Sequence, residues 1–216
     1  MSQPSASCPS CGAPVIFRWS GSVQTVCPFC KSILVRTDID LTKVGKVADL
    51  PPDSSPIQIG AEGVVDNKAF TVAGRILYEY ELGGWNEWHL VFNDGSSGWL
   101  SDAQLEYDVS WLAQPQPSRF PEDPVPEQQL NFGGRDLQVT SITRAHYKGV
   151  EGELPFQYWD KADVTFVDLR TWDGQFSTID YTEKPPLLFL GRVVGFDELH
   201  LKNVREFEGW PTGRRP

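Results

Sequence analysis

The sequence predicts a mainly β fold, and three observations carry that prediction. Short runs such as Lys68-Ala69-Phe70-Thr71-Val72 and Arg135-Asp136-Leu137-Gln138-Val139 put apolar residues at alternate positions, the period of a strand with one buried face. Asp94-Gly95 and Asp173-Gly174 each lie beside strand-like runs, and Asp-Gly favours hairpins because both residues tolerate positive φ. Helical periodicity is nearly absent, while 19 glycines and 17 prolines punctuate the 216 residues.

The first elements surround the chain's 4 cysteines, Cys8, Cys11, Cys27 and Cys30. They form two Cys-x-x-Cys pairs with residues 12–26 between them, within the spacing of zinc sites. A tetrahedral zinc centre needs four thiolates on two opposed knuckles. Val15-Ile16-Phe17-Arg18-Trp19 and Val23-Gln24-Thr25-Val26 read as a hairpin turning at Ser20-Gly21-Ser22, with Ser32-Ile33-Leu34-Val35-Arg36 as a third strand. This is the layout of a zinc ribbon over residues 1–47. Four cysteine ligands leave no open position for catalysis, so the expected zinc is structural. The first residues lack a secretory signal, and reduced thiols suit a cytoplasmic location.

Residues 48–57, with Pro51, Pro52 and Pro56, read as a stiff linker. An all-β domain is expected over 58–207, in halves of about 58–112 and 130–207, with a proline-rich connector at 113–129 and a tail at 208–216 holding Trp210. The alternating runs and Asp-Gly turns recur in both halves, as two degenerate meander-like repeats. Two such meanders would pack into one sandwich or barrel, burying the edges each leaves open. Asp102-Ala103-Gln104-Leu105-Glu106 and Phe196-Asp197-Glu198-Leu199 are candidate single helical turns.

Formal net charge is −10. The segment through Val47 carries +3, so the remainder carries −13. An acidic body repels a phosphate backbone, which argues against a nucleic-acid partner despite Arg18, Lys31 and Arg36. No apolar run is long enough to insert into a bilayer as a helix.

Candidate sites beyond the cysteines cluster around Tyr78 to His89. Strand alternation puts Ile76, Tyr78 and Tyr80 on one side with Trp88, Leu90 and Phe92 as core, and Glu87 and His89 together on the other. A carboxylate beside an imidazole is an acid–base pair in prospect, and with Arg75 these are the candidate catalytic residues. Exposed strand faces carry such pairs without catalysis as well. Trp85 and Trp99, near turns or strand ends, either cap a core or offer a recognition surface. Glu79 and Glu81 could attract a small cationic ligand, a polyamine or a basic peptide. The chain shows no nucleophile elbow, phosphate loop or dinucleotide fingerprint.

Trp85-Asn86-Glu87-Trp88-His89-Leu90-Val91-Phe92, followed by Asp94-Gly95 and Gly98-Trp99-Leu100-Ser101, resembles the central signature of the bacterial family filed as domain of unknown function 4178. Phe70 to Tyr80 and Ile179 to Phe196 fit the same pattern, so the resemblance covers roughly Pro56 to Phe207. It implies a non-enzymatic accessory role, often with an N-terminal zinc ribbon, and a protein partner in an envelope-associated or polyamine-linked system. The functional expectation is therefore a zinc-binding interaction or adaptor protein. The rivals are an enzyme or small-ligand binder using the Glu87/His89 face, and ribbon-mediated nucleic-acid binding.

Overall fold

The computed structural model describes residues 5–36, 41–46, 55–157 and 163–206. Most of the expected linker and the whole tail with Trp210 lie outside the described residues. The described chain is nearly all strand, and no helix in it is long and apolar enough to cross a membrane.

Each cysteine pair sits at the tip of its own hairpin. Strands β1 (Ser5–Ser7) and β2 (Pro14–Ile16) flank the first, while β3 (Gln24–Val26) and β4 (Ser32–Arg36) flank the second. A further strand, β5 (Leu41–Lys46), pairs with β4. The expected hairpin between Val15–Trp19 and Val23–Val26 is not formed. The strand after the first knuckle stops at Ile16, and β3 pairs with β4 and with the body of the protein instead.

The body is a closed antiparallel barrel built from two meanders. The first comprises β6 (Glu62–Val65), β7 (Lys68–Tyr80), β8 (Gly83–Phe92), β9 (Ser97–Ala103) and β10 (Glu106–Leu112). The second comprises β11 (Gln129–Phe132), β12 (Arg135–Leu154), β13 (Asp163–Arg170), β14 (Gln175–Asp180) and β15 (Leu187–Val194). Pairing of β10 with β15 and of β12 with β7 joins the halves at both edges, so β7–β10 and β12–β15 close on themselves. Closure removes the open strand edges of each meander. The repeats correspond at two turns. Gly95 and Gly174 both adopt φ of 84°, between the second and third barrel strands of each half. Asp66-Asn67 and Gly133-Gly134, all at positive φ, make the tight turns that open each half.

Two corrections follow from register. The expected helical turn at 102–106 is a hairpin: β9 runs through Asp102 and reverses at Gln104 and Leu105, both at positive φ. The second concerns faces. Val72 pairs with Leu90 and Gly74 with His89, so a bulge at Ala73 shifts β7 by one residue. Such a shift moves every later side chain to the opposite face. Ile76 and Tyr78 therefore pair with Glu87 and Trp85 and point inward, whereas Trp88, Leu90 and Phe92 point outward. The turn at Phe196–Leu199 is present as one 3-10 turn.

The apolar cores lie largely outside the barrel wall. Trp88, Leu90, Leu100 and Val109 are covered by Ile57, Ala61, Val65 and Leu199. Leu137, Val167, Leu169 and Ile179 form the matching cluster of the second half, with Phe120 of the connector packed on it. The connector is further tied by Gln116, which bonds the backbone N–H and C=O of Leu188. Ser55, at the end of the expected linker, donates to buried Asp102.

The ribbon is welded to one end of the barrel. Beyond Gly152 the strand β12 leaves β7 and pairs with β3. Only glycine suits position 152: its φ is +67°, and a Cβ would lie 2.2 Å from the Ala73 carbonyl oxygen. Val26 and Ile33 join Ile76, Trp99, Val150 and Leu154 in one apolar cluster. Buried Glu153 accepts from the backbone N–H groups of Arg18 at 2.9 Å and Trp19 at 3.2 Å. Glu153→Gln replaces one accepting oxygen by a donor. It is expected to cost about 1 kcal/mol and to speed hydrogen exchange at Arg18 and Trp19 first. Unchanged exchange at both amides would show that Glu153 does not hold the ribbon in place.

Candidate functional site

The four cysteines converge. Cys8 Sγ and Cys30 Sγ are 3.7 Å apart, Cys11 Sγ and Cys27 Sγ are 3.8 Å apart, and all four sulfurs lie within 4.8 Å of one another. Tetrahedral bonds of about 2.3 Å would separate thiolates by roughly 3.8 Å, so the set fits a four-coordinate ion. The two knuckles close in the same way. Gly12 N–H bonds Cys8 O and Lys31 N–H bonds Cys27 O, and each first cysteine donates its N–H across the hairpin to Ala13 O or Ser32 O. Gly12 and Lys31 both take the positive φ this requires. The Ser32 hydroxyl, 3.2 Å from Cys30 Sγ, and then its backbone hold the Cys30 thiol down to about 6. These groups can hold a metal ion and offer it no fifth protein ligand.

The second feature is the barrel interior, a cavity of about 690 Å³ lined from all the barrel strands. Eight-stranded barrels have room either for packed side chains or for one small ligand, and here space remains. One wall is aromatic: Trp85 stacks on Tyr78 with ring centres 5.0 Å apart and meets Phe166 edge-on at 5.5 Å. The rest is carboxylate-rich, with Glu87, Asp108, Asp168 and Asp180 inside and Glu106 and Glu183 exposed at the mouth. Strand pairing puts Glu87, Ser101 and Asp108 side by side on β8, β9 and β10, and flanks Asp168 with Ser141 and Thr178 in the second half.

Burial dominates the electrostatics. It pushes Glu87 up to about 8, against a 2.9 Å hydrogen bond from Trp85 Nε1 and with help from Asp168 and Asp108. It also raises Asp108 to about 6, with Arg170 opposing and Asp168 and Glu106 adding to the rise. Asp168 and Asp180 are raised by the same desolvation, tempered by hydrogen bonds from Ser141 and Thr182. Neighbouring buried carboxylates resist joint ionisation, and each proton retained relieves the others.

The remaining candidates separate. His89 shares Glu87's side of the strand but is sealed beyond the cavity, between Trp19 at 5.0 Å and Trp99 at 5.2 Å. Its Nδ1–H donates to the Glu153 carbonyl at 3.0 Å, leaving Nε2 buried without a partner among the described residues, and burial lowers its pKa to about 4. Arg75 faces the opposite way. Its guanidinium lies over Trp88 at 5.1 Å and pairs with Asn86 and Glu151. Glu87, His89 and Arg75 therefore share no common space. Trp85 and Trp99 line the cavity, so the aromatic surface that the sequence placed at strand ends lies inside the barrel. Glu79 is outside it, paired with Lys148 at 2.7 Å and His146 at 3.1 Å, and Glu81 is exposed in the β7–β8 turn.

Sequence reasoning missed Asp108 and Asp168. Their signal was alternation: Glu106-Asp108-Ser110 and Asp168-Arg170 put polar groups on one face, which reads as solvent-facing until the barrel closes around it.

A family model described as Domain of unknown function (DUF4178) matches residues 58–196, the span of β6 to β15. No curated protein and no solved structure gave a significant match. The family match covers every strand of the barrel and more than half of the chain, and the chain belongs to the DUF4178 family.

Proposed function

We propose that this protein is a non-catalytic binding protein whose barrel holds a small molecule, with a structural zinc ion in the four-cysteine centre. The observation that carries the reading is the cavity of about 690 Å³, which combines an aromatic wall with ionisable groups from both repeats. A protein gains no stability by leaving such a space unpacked or by burying carboxylates in it, so both features have a use in binding. Thiolate chemistry favours zinc, and a reducing cytoplasm would keep the ligands competent.

Native mass spectrometry of the intact, metal-loaded protein tests this reading. One small-molecule adduct per chain is expected, either as isolated or after incubation with amphiphilic compounds. Ser101→Trp, which fills the cavity between Glu87 and Asp108, should abolish it. A chain that takes no adduct in either condition would sink the proposal.

A second reading adds a protein partner, docked on the ribbon. Its support is the tip of the second knuckle, where Phe29 is 68% exposed between two metal-ligating residues. An isolated exposed aromatic on a rigid loop suits an anchor in a partner's pocket. Phe29→Ala would then lose a partner retained by wild-type protein in a cell-extract pull-down, while the cavity ligand stays bound.

A further inference from the structure

We propose that the barrel ligand is an organic cation, a protonated amine on an apolar body. Its nitrogen is held at Asp108, and its body lies against the Trp85–Tyr78–Phe166 wall. The proposal deepens the small-molecule reading of the cavity and rests on it.

Three observations select this chemistry. The first is charge: among the described lining residues, Glu87, Glu106, Asp108, Asp168, Asp180 and Glu183 face a single base, Arg170. Arg170 lies 5.7 Å from the centre of the Phe176 ring, also in the lining, and offsets one of the six acids. The second is an acceptor without a donor. Asp108 is only 8% exposed, lines the cavity, and its Oδ1 has no hydrogen-bond partner among the described residues. A buried carboxylate oxygen in that condition is costly unless a ligand donor meets it. An ammonium group brings donors and no acceptor, which suits an unpartnered carboxylate oxygen. The third is the aromatic wall next to the acids, where ring faces attract a cation and cover its hydrocarbon.

Other occupants fit less well. An anion would enter a cavity of one dominant, like sign. A metal ion needs its ligands within a few ångström, and the cysteines form the one such group among the described residues. The lumen carboxylates are spread across two half-barrels, as a larger cation with distributed contacts requires.

The test uses three probes that share one body and differ in charge: phenylbutylamine, phenylbutanol and phenylbutyrate. Each is titrated calorimetrically into the intact, metal-loaded protein at neutral pH. The amine is expected to bind about tenfold or more tightly than the alcohol, with the carboxylate weakest. Asp108→Asn should weaken the amine by about tenfold and leave the alcohol within about twofold. Glu79→Gln, on the outer surface, should change neither. Thermal melts of Asp108→Asn confirm that the barrel remains folded, as removal of a buried like charge predicts. If the alcohol or the carboxylate binds as well as the amine, the cation assignment is overturned while the cavity stands as a ligand site. If none of the three binds, or if Ser101→Trp leaves their binding unchanged, the cavity reading fails with it.

Discussion

Removing the metal from the four-cysteine centre, by chelation or by Cys27→Ser, is expected to unfold the ribbon and lower the melting temperature by about 10 °C or more. The ribbon's own core is small. It is Val15, Phe17, Leu34 and Leu41 around Cys8 and Cys27, so two of its six buried members are cysteines that could hold a metal ion. A segment this small rarely buries enough apolar surface to fold alone, and zinc bound by such peptides contributes on the order of 10 kcal/mol. The damage would not stop at the ribbon. Val26 and Ile33 belong to the same cluster as Ile76, Trp99 and Leu154, so a melted ribbon exposes one end of the barrel. Trp19, which donates to the Gly95 carbonyl and lies against His89, would enter water and report the change in its fluorescence. Calorimetric melts of metal-loaded, chelated and zinc-reloaded protein check this. A shift below about 2 °C on complete removal of the metal would show that the cysteines contribute no stability through an ion.

What was legible in the sequence was local. The cysteine spacing, the two Asp-Gly turns and the Gly133-Gly134 turn all depend on residues next to one another, and each sits where expected. The repeat was legible for the same reason, since matching turns bracket matching strands. What was not legible depends on distant pairing. Val23–Val26 has the composition of a strand, but nothing in it says that β12 will recruit its edge. The one-residue bulge at Ala73 leaves no mark in the hydrophobic pattern, yet it decides that Tyr78 joins Glu87 rather than Trp88. Closure of the barrel is the largest such effect. A polar strand face looks alike whether it meets bulk water or an enclosed cavity, so Asp108 and Asp168 read as solvated surface.

That inward polar face has a thermodynamic signature. Between pH 6.5 and about 8 the ligand-free, metal-loaded protein is expected to lose about 1 kcal/mol of stability. Glu87 is the cause. Its folded pKa is raised to about 8 from an ordinary 4.5, mainly by burial, so the folded state holds a proton that the unfolded chain has released. A raised carboxylic acid contributes stability that is complete below its unfolded pKa and declines as pH rises through the folded value. Below pH 6.5 the trend is mixed. Asp108, raised to about 6, falls in the same direction as Glu87, together with Asp168 and Asp180. His89 opposes them, because its pKa is lowered to about 4 and its neutral form is the one buried, so stability rises with pH from 4 to 6.5. Above 6.5 His89 and Asp108 have largely finished titrating, and Glu87 leads the slope, with the raised Asp168 and Asp180 acting in the same direction. Water in the lumen limits the loss to less than the full shift implies. Urea denaturation at pH 6.5 and pH 8 measures it directly, and Glu87→Gln, which stays neutral at both, should flatten the difference. A wild-type protein that gains stability over this interval, or a Glu87→Gln variant that keeps the full slope, would remove Glu87 from its assigned place inside the barrel. An amine bound among these carboxylates should reverse the trend, because it favours the ionised forms that rising pH supplies.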